Sequence, residues 1–136
     1  MKVGFIGLGL MGSNMVRRLH ELGYDLVLYN RTLDKAIEIA KEINAEVVSS
    51  PKAMSRLVDV VIAMVADDEA LLSVLVPPNG LTVEKFSNVF INSSTVSVET
   101  SLIAKKVVEG SGGRYVEAPV FGSIDAARSG NLITVT

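Results

Sequence analysis

Three glycines fall within six residues, at positions 7, 9 and 12, directly behind the apolar run Val3-Gly4-Phe5-Ile6. Glycine loses more conformational freedom on folding than any other residue. A cluster of it therefore answers to a special backbone geometry or to a large group that must come close. The surroundings narrow the choice. Lys2 to Ile6 reads as a short buried strand, and over residues 11–22 Met11, Met15, Leu19 and Leu22 recur at helical spacing, with Arg17, Arg18, His20 and Glu21 facing away. Gly23 stops that helix, and residues 25–29 read as a second strand. In a strand, glycine turn, helix and strand, Gly7 permits the tight turn, Gly9 lets backbone approach a pyrophosphate, and Gly12 lets the helix lie close to the strand. Leu8, Leu10 and Met11 complete the loop, and the amides of Leu10 and Met11 at the helix N-terminus are expected to point at the phosphates. The competing reading is a turn whose glycines serve packing alone.

The alternation continues down the chain. Leu33, Ala36, Ile37, Ala40 and Ile43 give a second helix, and Glu46-Val47-Val48 a short third strand. Ser50-Pro51 places a cap and a first-turn proline before a short helix through Leu57. Residues 59–65 are apolar after Asp59, as expected of a central strand covered on both faces. Asp67-Asp68-Glu69 puts acid at the start of another helix. Residues 88–92 make a further strand, Ser97 caps a helix to about Val108, and residues 131–136 have strand composition. The pattern predicts an α/β fold, a doubly wound, mostly parallel, Rossmann-like sheet, with residues 1–136 as one dinucleotide-binding domain whose last strands are truncated.

Composition excludes several alternatives. Thirteen basic against fifteen acidic residues, a formal charge of −2, with no block of like charge, argue against a nucleic-acid or membrane-surface role. Without cysteine, and with His20 as the one histidine, no metal is expected. The opening apolar run is too short and too broken for a signal peptide or a membrane span, so a soluble, cytoplasmic protein is expected.

At the end of the second strand, where NAD enzymes place an acid for the ribose hydroxyls, the chain has Asn30-Arg31-Thr32. Arginine there suits a 2′-phosphate, which a carboxylate would repel, so NADP is favoured over NAD. The plainer alternative makes Thr32 a helix cap and Arg31 a solvated side chain. Lys35, one turn on, either adds charge or is solvated.

The segments GLGLMGSNM, YNRT, AMVADDEAL, INSSTVS and EAPVFGSIDAARSGNL, in that order and spacing, resemble the β-hydroxyacid dehydrogenase family, which includes 3-hydroxyisobutyrate dehydrogenase and the glyoxylate and succinic semialdehyde reductases. The resemblance implies a Rossmann domain followed by a helical C-terminal domain, a homo-oligomer when full length, and hydride transfer between a nicotinamide and a small β- or γ-hydroxy acid or semialdehyde. It implies an active-site lysine downstream of this chain, so no catalytic residue is expected within it. It makes Met64, Val65 and Ala66 cofactor contacts and Thr95 a contact near nicotinamide and substrate. Ser93, Ser94 and Thr95 read equally as a helix-entry loop rich in cap formers.

The family writes its last motif Asp-Ala-Pro-Val-Ser-Gly-Gly. Here it is Glu117-Ala118-Pro119-Val120-Phe121-Gly122-Ser123. The resemblance makes Phe121, Gly122 and Ser123 substrate contacts, with the Ser123 hydroxyl in part replacing the lost serine. Phe121 either narrows the pocket or packs in the core. Two alternatives stand beside the reductase. A 6-phosphogluconate dehydrogenase-like enzyme shares GLxxMG and NRT but carries Gly-Gly-Asn-Ser where this chain has Asn92-Ser93-Ser94-Thr95. A non-catalytic dinucleotide-binding scaffold would lack the downstream lysine.

Overall fold

Successive residues of β1 (Lys2–Ile6) face opposite sides of a sheet, and both sides are apolar. Val3 and Phe5 enter one core with Leu26 and Leu28 of β2 (Asp25–Tyr29), while Ile6 and Val27 enter the other. A strand that is apolar on both faces is stable only between two layers of helix. The structure, a computed structural model, describes residues 1–121 and 133–134 and has that architecture.

Helices α1 (Leu10–Glu21) and α2 (Leu33–Ile43) cover the first face, burying Val16, Ala36, Ile39, Ala40 and Ile43. After β3 (Glu46–Val47), the other face is covered by α3 (Pro51–Met54), α4 (Asp68–Leu75), which follows β4 (Val60–Ala63), and α5 (Val98–Gly110), which follows β5 (Val89–Asn92). Met54, Leu71, Leu75, Ala104 and Val108 pack there against Val61 and Phe90. With β6 (Arg114–Glu117) the sheet has the order β3-β2-β1-β4-β5-β6, every pair parallel. This is a doubly wound, Rossmann-like sheet. The chain order reverses between β1 and β4, and the crevice outside the carboxyl ends of those strands is where such sheets take ligands. A separate antiparallel pair joins β7 (Val120–Phe121) to β8 (Ile133–Thr134).

Local chemistry explains four of the helix ends. The side chains of Ser50, Asp67 and Ser97 accept the N–H of the residue three positions on, closing the starts of α3, α4 and α5. Gly23 lies at φ 90° beyond α1, and its N–H donates to the His20 carbonyl. Arg17 of α1 donates two N–H bonds to Glu42 of α2, at 2.7 and 3.3 Å, and this pairing raises its pKa.

Two expectations need correction, one strand is additional, and one expected strand is present in part. The buried stripe of α1 is Gly12, Ser13 and Val16; Met11, Met15 and Leu19 are half-buried flanks and Leu22 is exposed. The small residues lie innermost because the helix is pressed against the glycine turn. The central strand ends at Ala63, so Met64 and Val65 leave the sheet. β6 was not expected: it is an edge strand, and its terminal Arg114 and Glu117 stay exposed. Of residues 131–136, Ile133 and Thr134 form β8; Asn131, Leu132, Val135 and Thr136 lie outside the described residues. Among the described residues no helix is long and apolar enough to cross a membrane.

Candidate functional site

The chain leaves β1 through Gly7 at φ 99°. A Cβ there would run into the carbonyl oxygen of Met64, and one on Gly12 into that of Gly7, so these two glycines serve the turn and the close helix. Gly9 differs. Its φ of −67° and ψ of −170° are extended backbone that any residue adopts, and a Cβ there would meet no atom within 4 Å. The polypeptide itself gives no reason for glycine at position 9; a group lying against the backbone does.

The loop's N–H groups point the same way. Gly7 donates to the Tyr29 carbonyl (3.1 Å), Leu8 to Asn30 Oδ1 (2.8 Å) and Ser13 to the Gly9 carbonyl (2.9 Å). Between them, the N–H groups of Gly9, Leu10, Met11 and Gly12 have no acceptor among the described residues. The first turn of α1 carries no acidic residue and Gly9 no capping side chain. Such a helix start presents partial positive charge and free donors, which fit an anion such as a pyrophosphate.

These donors face a cleft of ≈ 870 Å³ at the carboxyl ends of β1, β2 and β4. Asn30 and Arg31 stand at its β2 side, Met64, Val65 and Ala66 at its β4 side, and Ala70, Ser73, Val74 and Asn79 form the wall beyond. Asn30 is held at both ends of its amide: Oδ1 accepts Leu8 N–H and Nδ2 donates to the Thr32 carbonyl (3.0 Å). That fixes the Arg31 backbone beside the glycine turn. Arg31 is exposed, is the one basic side chain among the described lining residues, and pairs with no carboxylate among them. On the β4 side, Met64 N–H donates to the Ile6 carbonyl (2.8 Å) and Val65 N–H to Ser94 Oγ (2.8 Å). Asp67 and Glu69 also line the cleft, Asp67 with its carboxylate capping α4. Asp68 accepts Ser97 N–H (2.9 Å), which holds its carboxyl below the usual range, so this tie between the starts of α4 and α5 is charge-assisted at neutral pH and weakens as the carboxylate protonates in acid.

The residues singled out in the sequence divide clearly. Gly7, Leu8, Gly9, Leu10, Met11, Gly12, Asn30, Arg31, Met64, Val65 and Ala66 line one cleft. Thr32, Lys35 and Thr95 are not among its described lining residues. Thr32 occupies the N-cap position of α2 without a side-chain capping bond, and Thr95 is exposed in the loop after β5. Phe121 is placed by its backbone in β7, and Gly122 and Ser123 lie outside the described residues. Sequence reasoning missed Ser94 as a partner of Val65, and the wall at Ser73, Val74 and Asn79, which only the packing of α4 and of the turn after it brings to the cleft. A second hollow of ≈ 440 Å³, lined by Lys2, His20, Tyr24, Asp25 and Glu46, lies at the opposite end of β1 and β2.

Residues 2–136 match the family model described as the NAD binding domain of 6-phosphogluconate dehydrogenase. Glyoxylate/succinic semialdehyde reductase 1 of Arabidopsis thaliana is 40% identical over 134 residues, covering 98% of this chain and 46% of that protein. The solved structure of Mycobacterium tuberculosis 3-hydroxyisobutyrate dehydrogenase with L-serine superposes with a TM-score of 0.87 at 28% identity, over 98% of this chain and 45% of that one. Psf3 in complex with NADP+ and 2-OPP gives a TM-score of 0.87 at 30% identity, over 96% and 46%. The chain thus spans less than half the length of these relatives. Domain match, relatives and fold agree: the chain belongs to the β-hydroxyacid dehydrogenase family, as its NAD-binding domain.

Proposed function

We propose that this chain binds NADP(H) for an oxidoreductase that acts on a small β- or γ-hydroxy acid or the corresponding semialdehyde. The observation that carries the reading is the row of N–H groups from Gly9 to Gly12, without acceptors among the described residues, opening on a cleft in which Arg31 is the one basic residue of the described lining. Bound there, the cofactor supplies the hydride. The chain's own residues bind and orient it: the Gly9, Leu10, Met11 and Gly12 amides take the pyrophosphate, and Arg31 takes the 2′-phosphate with a charge-assisted contact. Asn30 holds Arg31 beside the glycine turn, and Met64, Val65 and Ala66 form the wall on the β4 side. Leu8 contributes its position in the loop, its N–H being engaged by Asn30. Thr32, Lys35 and Thr95 are kept as contacts made once the cofactor is in place, Thr95 toward nicotinamide and substrate.

The substrate class rests on the names of the relatives, and the substrate contacts Phe121, Gly122 and Ser123 on the family motif. The described lining residues of the cleft include no lysine or histidine to move a proton, and the active-site lysine is proposed to lie in the half of the enzyme that follows. The test is calorimetric titration of the purified chain with NADPH and NADH, followed by assay with a panel of semialdehydes. NADPH should bind about ten- to a hundredfold more tightly than NADH at low salt, from a charge-assisted contact of roughly 1.5–3 kcal/mol. No absorbance loss at the nicotinamide band is expected. Equal affinities overturn the NADP assignment, and steady turnover overturns the division of labour between the two halves.

A further inference from the structure

In a sheet covered on both faces, the central strands are ordinarily apolar to their ends. Here a string of buried polar groups runs from the carboxyl ends of β4 and β5 to Tyr115 of β6 and Ser101 of α5. Asn92 is 0% exposed, Ser94 1% and Ser101 6%. Ser94 Oγ accepts Val65 N–H at 2.8 Å and donates to the Ala63 carbonyl at 3.3 Å. Ser94 N–H donates to Asn92 Oδ1 (3.0 Å), and Asn92 Nδ2 donates to the Tyr115 hydroxyl (3.2 Å). That hydroxyl shares a hydrogen bond with Ser101 Oγ of α5 (3.0 Å), and the Tyr115 ring stacks on Phe90 at 6.0 Å. One end of the string is the cleft wall at Val65; the other lies in β6 and α5.

The two bonds of the Ser94 hydroxyl are not equivalent. The Ala63 carbonyl also accepts Ser93 N–H (2.9 Å), so it keeps a partner without Ser94. Val65 N–H has no second acceptor among the described residues. The hydroxyl therefore acts chiefly on the first peptide groups after β4, where the chain turns from the sheet to form the wall.

We propose that Ser94 is a positioning residue of the cofactor cleft. Its hydroxyl fixes the Val65 peptide so that Met64-Val65-Ala66 stands at a set distance from the glycine turn before any ligand arrives. Asn92, held by Tyr115, keeps Ser94 turned toward it. The role rests on the dinucleotide reading, because a preformed wall lowers the ordering cost of binding only if that wall meets the ligand. It is also one-sided. None of these bonds reaches Asn30 or Arg31, so a ligand held only at the β2 side gains nothing from Ser94.

The test compares the wild type with Ser94→Ala and Ser94→Thr, using NADPH, 2′,5′-ADP and hydrogen exchange of the ligand-free chain. In the wild type the Val65 amide should exchange as slowly as that of Met64. In Ser94→Ala it should exchange at least about tenfold faster while Met64, held by the Ile6 carbonyl, is unchanged. Loss of one hydrogen bond of ordinary strength should weaken NADPH about five- to tenfold and leave 2′,5′-ADP within about twofold. Ser94→Thr, which keeps the hydroxyl, should restore NADPH affinity. A fast Val65 amide in the wild type, an unchanged one in Ser94→Ala, or equal losses for both ligands overturns the proposal. A wild type that binds neither ligand overturns the cofactor reading, while the Val65 exchange rates still report whether Ser94 fixes the wall.

Discussion

Gly9→Val is expected to weaken NADPH binding by at least about a hundredfold while moving the melting temperature by no more than about 2 °C. The two halves of that expectation have separate causes. Gly9 has extended backbone, which valine prefers, and open space where a Cβ would go, so the folded chain accepts the side chain without strain. The same space lies beside the free N–H groups of the helix start, and three added carbons there keep an anion from reaching them. Losing two charge-assisted hydrogen bonds of roughly 1.5 kcal/mol each already corresponds to about a hundredfold. Gly12→Val should behave in the opposite way. Its Cβ would run into the Gly7 carbonyl oxygen and lie 3.2 Å from Phe5, so the chain should lose roughly 3 kcal/mol of stability, about 10 °C in melting temperature. Thermal melts and NADPH titrations of both variants separate the two roles; a destabilised Gly9→Val, or one that still binds, makes Gly9 a turn residue only.

Arg31→Ala should erase most of the preference for NADPH, raising its Kd about ten- to a hundredfold at low salt and leaving that of NADH within about twofold. Arg31 is exposed and unpaired among the described residues, so its removal breaks no internal contact and the fold should be unaffected. The margin in the wild type should shrink as salt rises, because the contact is open to solvent and screened over about 10 Å at 0.1 M. Titration of both cofactors at two salt concentrations measures this. A variant that retains the wild-type preference would make Asn30-Arg31-Thr32 a strand end and helix entry with no part in cofactor choice.

What the sequence displays is the part of the fold set by local chemistry. Asp25–Tyr29 is legible because apolar residues bounded by Gly23 and Asn30 have few other fates, and Ser50 and Ser97 announce their helices by capping them. β6 is hidden because an edge strand keeps Arg114 and Glu117 in solvent and so lacks the apolar signature of its neighbours. The inner face of α1 is misread for a different reason: methionine and leucine look like core, yet helix and turn approach so closely that only Gly12, Ser13 and Val16 fit between them. The glycine turn and Arg31 are visible in the sequence because their residue types are special. The roles of Asn30 and Ser94 are not, since each follows from partners 22 and 29 residues away that only the folded sheet supplies.

The central claim is that a dinucleotide lies in the crevice between β1 and β4, against the amides of the glycine turn. Backbone amide shifts of the labelled chain, recorded while NADPH is added, test it most directly. The account predicts saturable shifts at Gly9, Leu10, Met11 and Gly12, at Arg31 and at Val65 and Ala66, with Lys2, His20, Tyr24 and Glu46 at the opposite end of the sheet unmoved. Shifts centred on that opposite end, or a glycine turn that stays silent while NADPH binds, would contradict it.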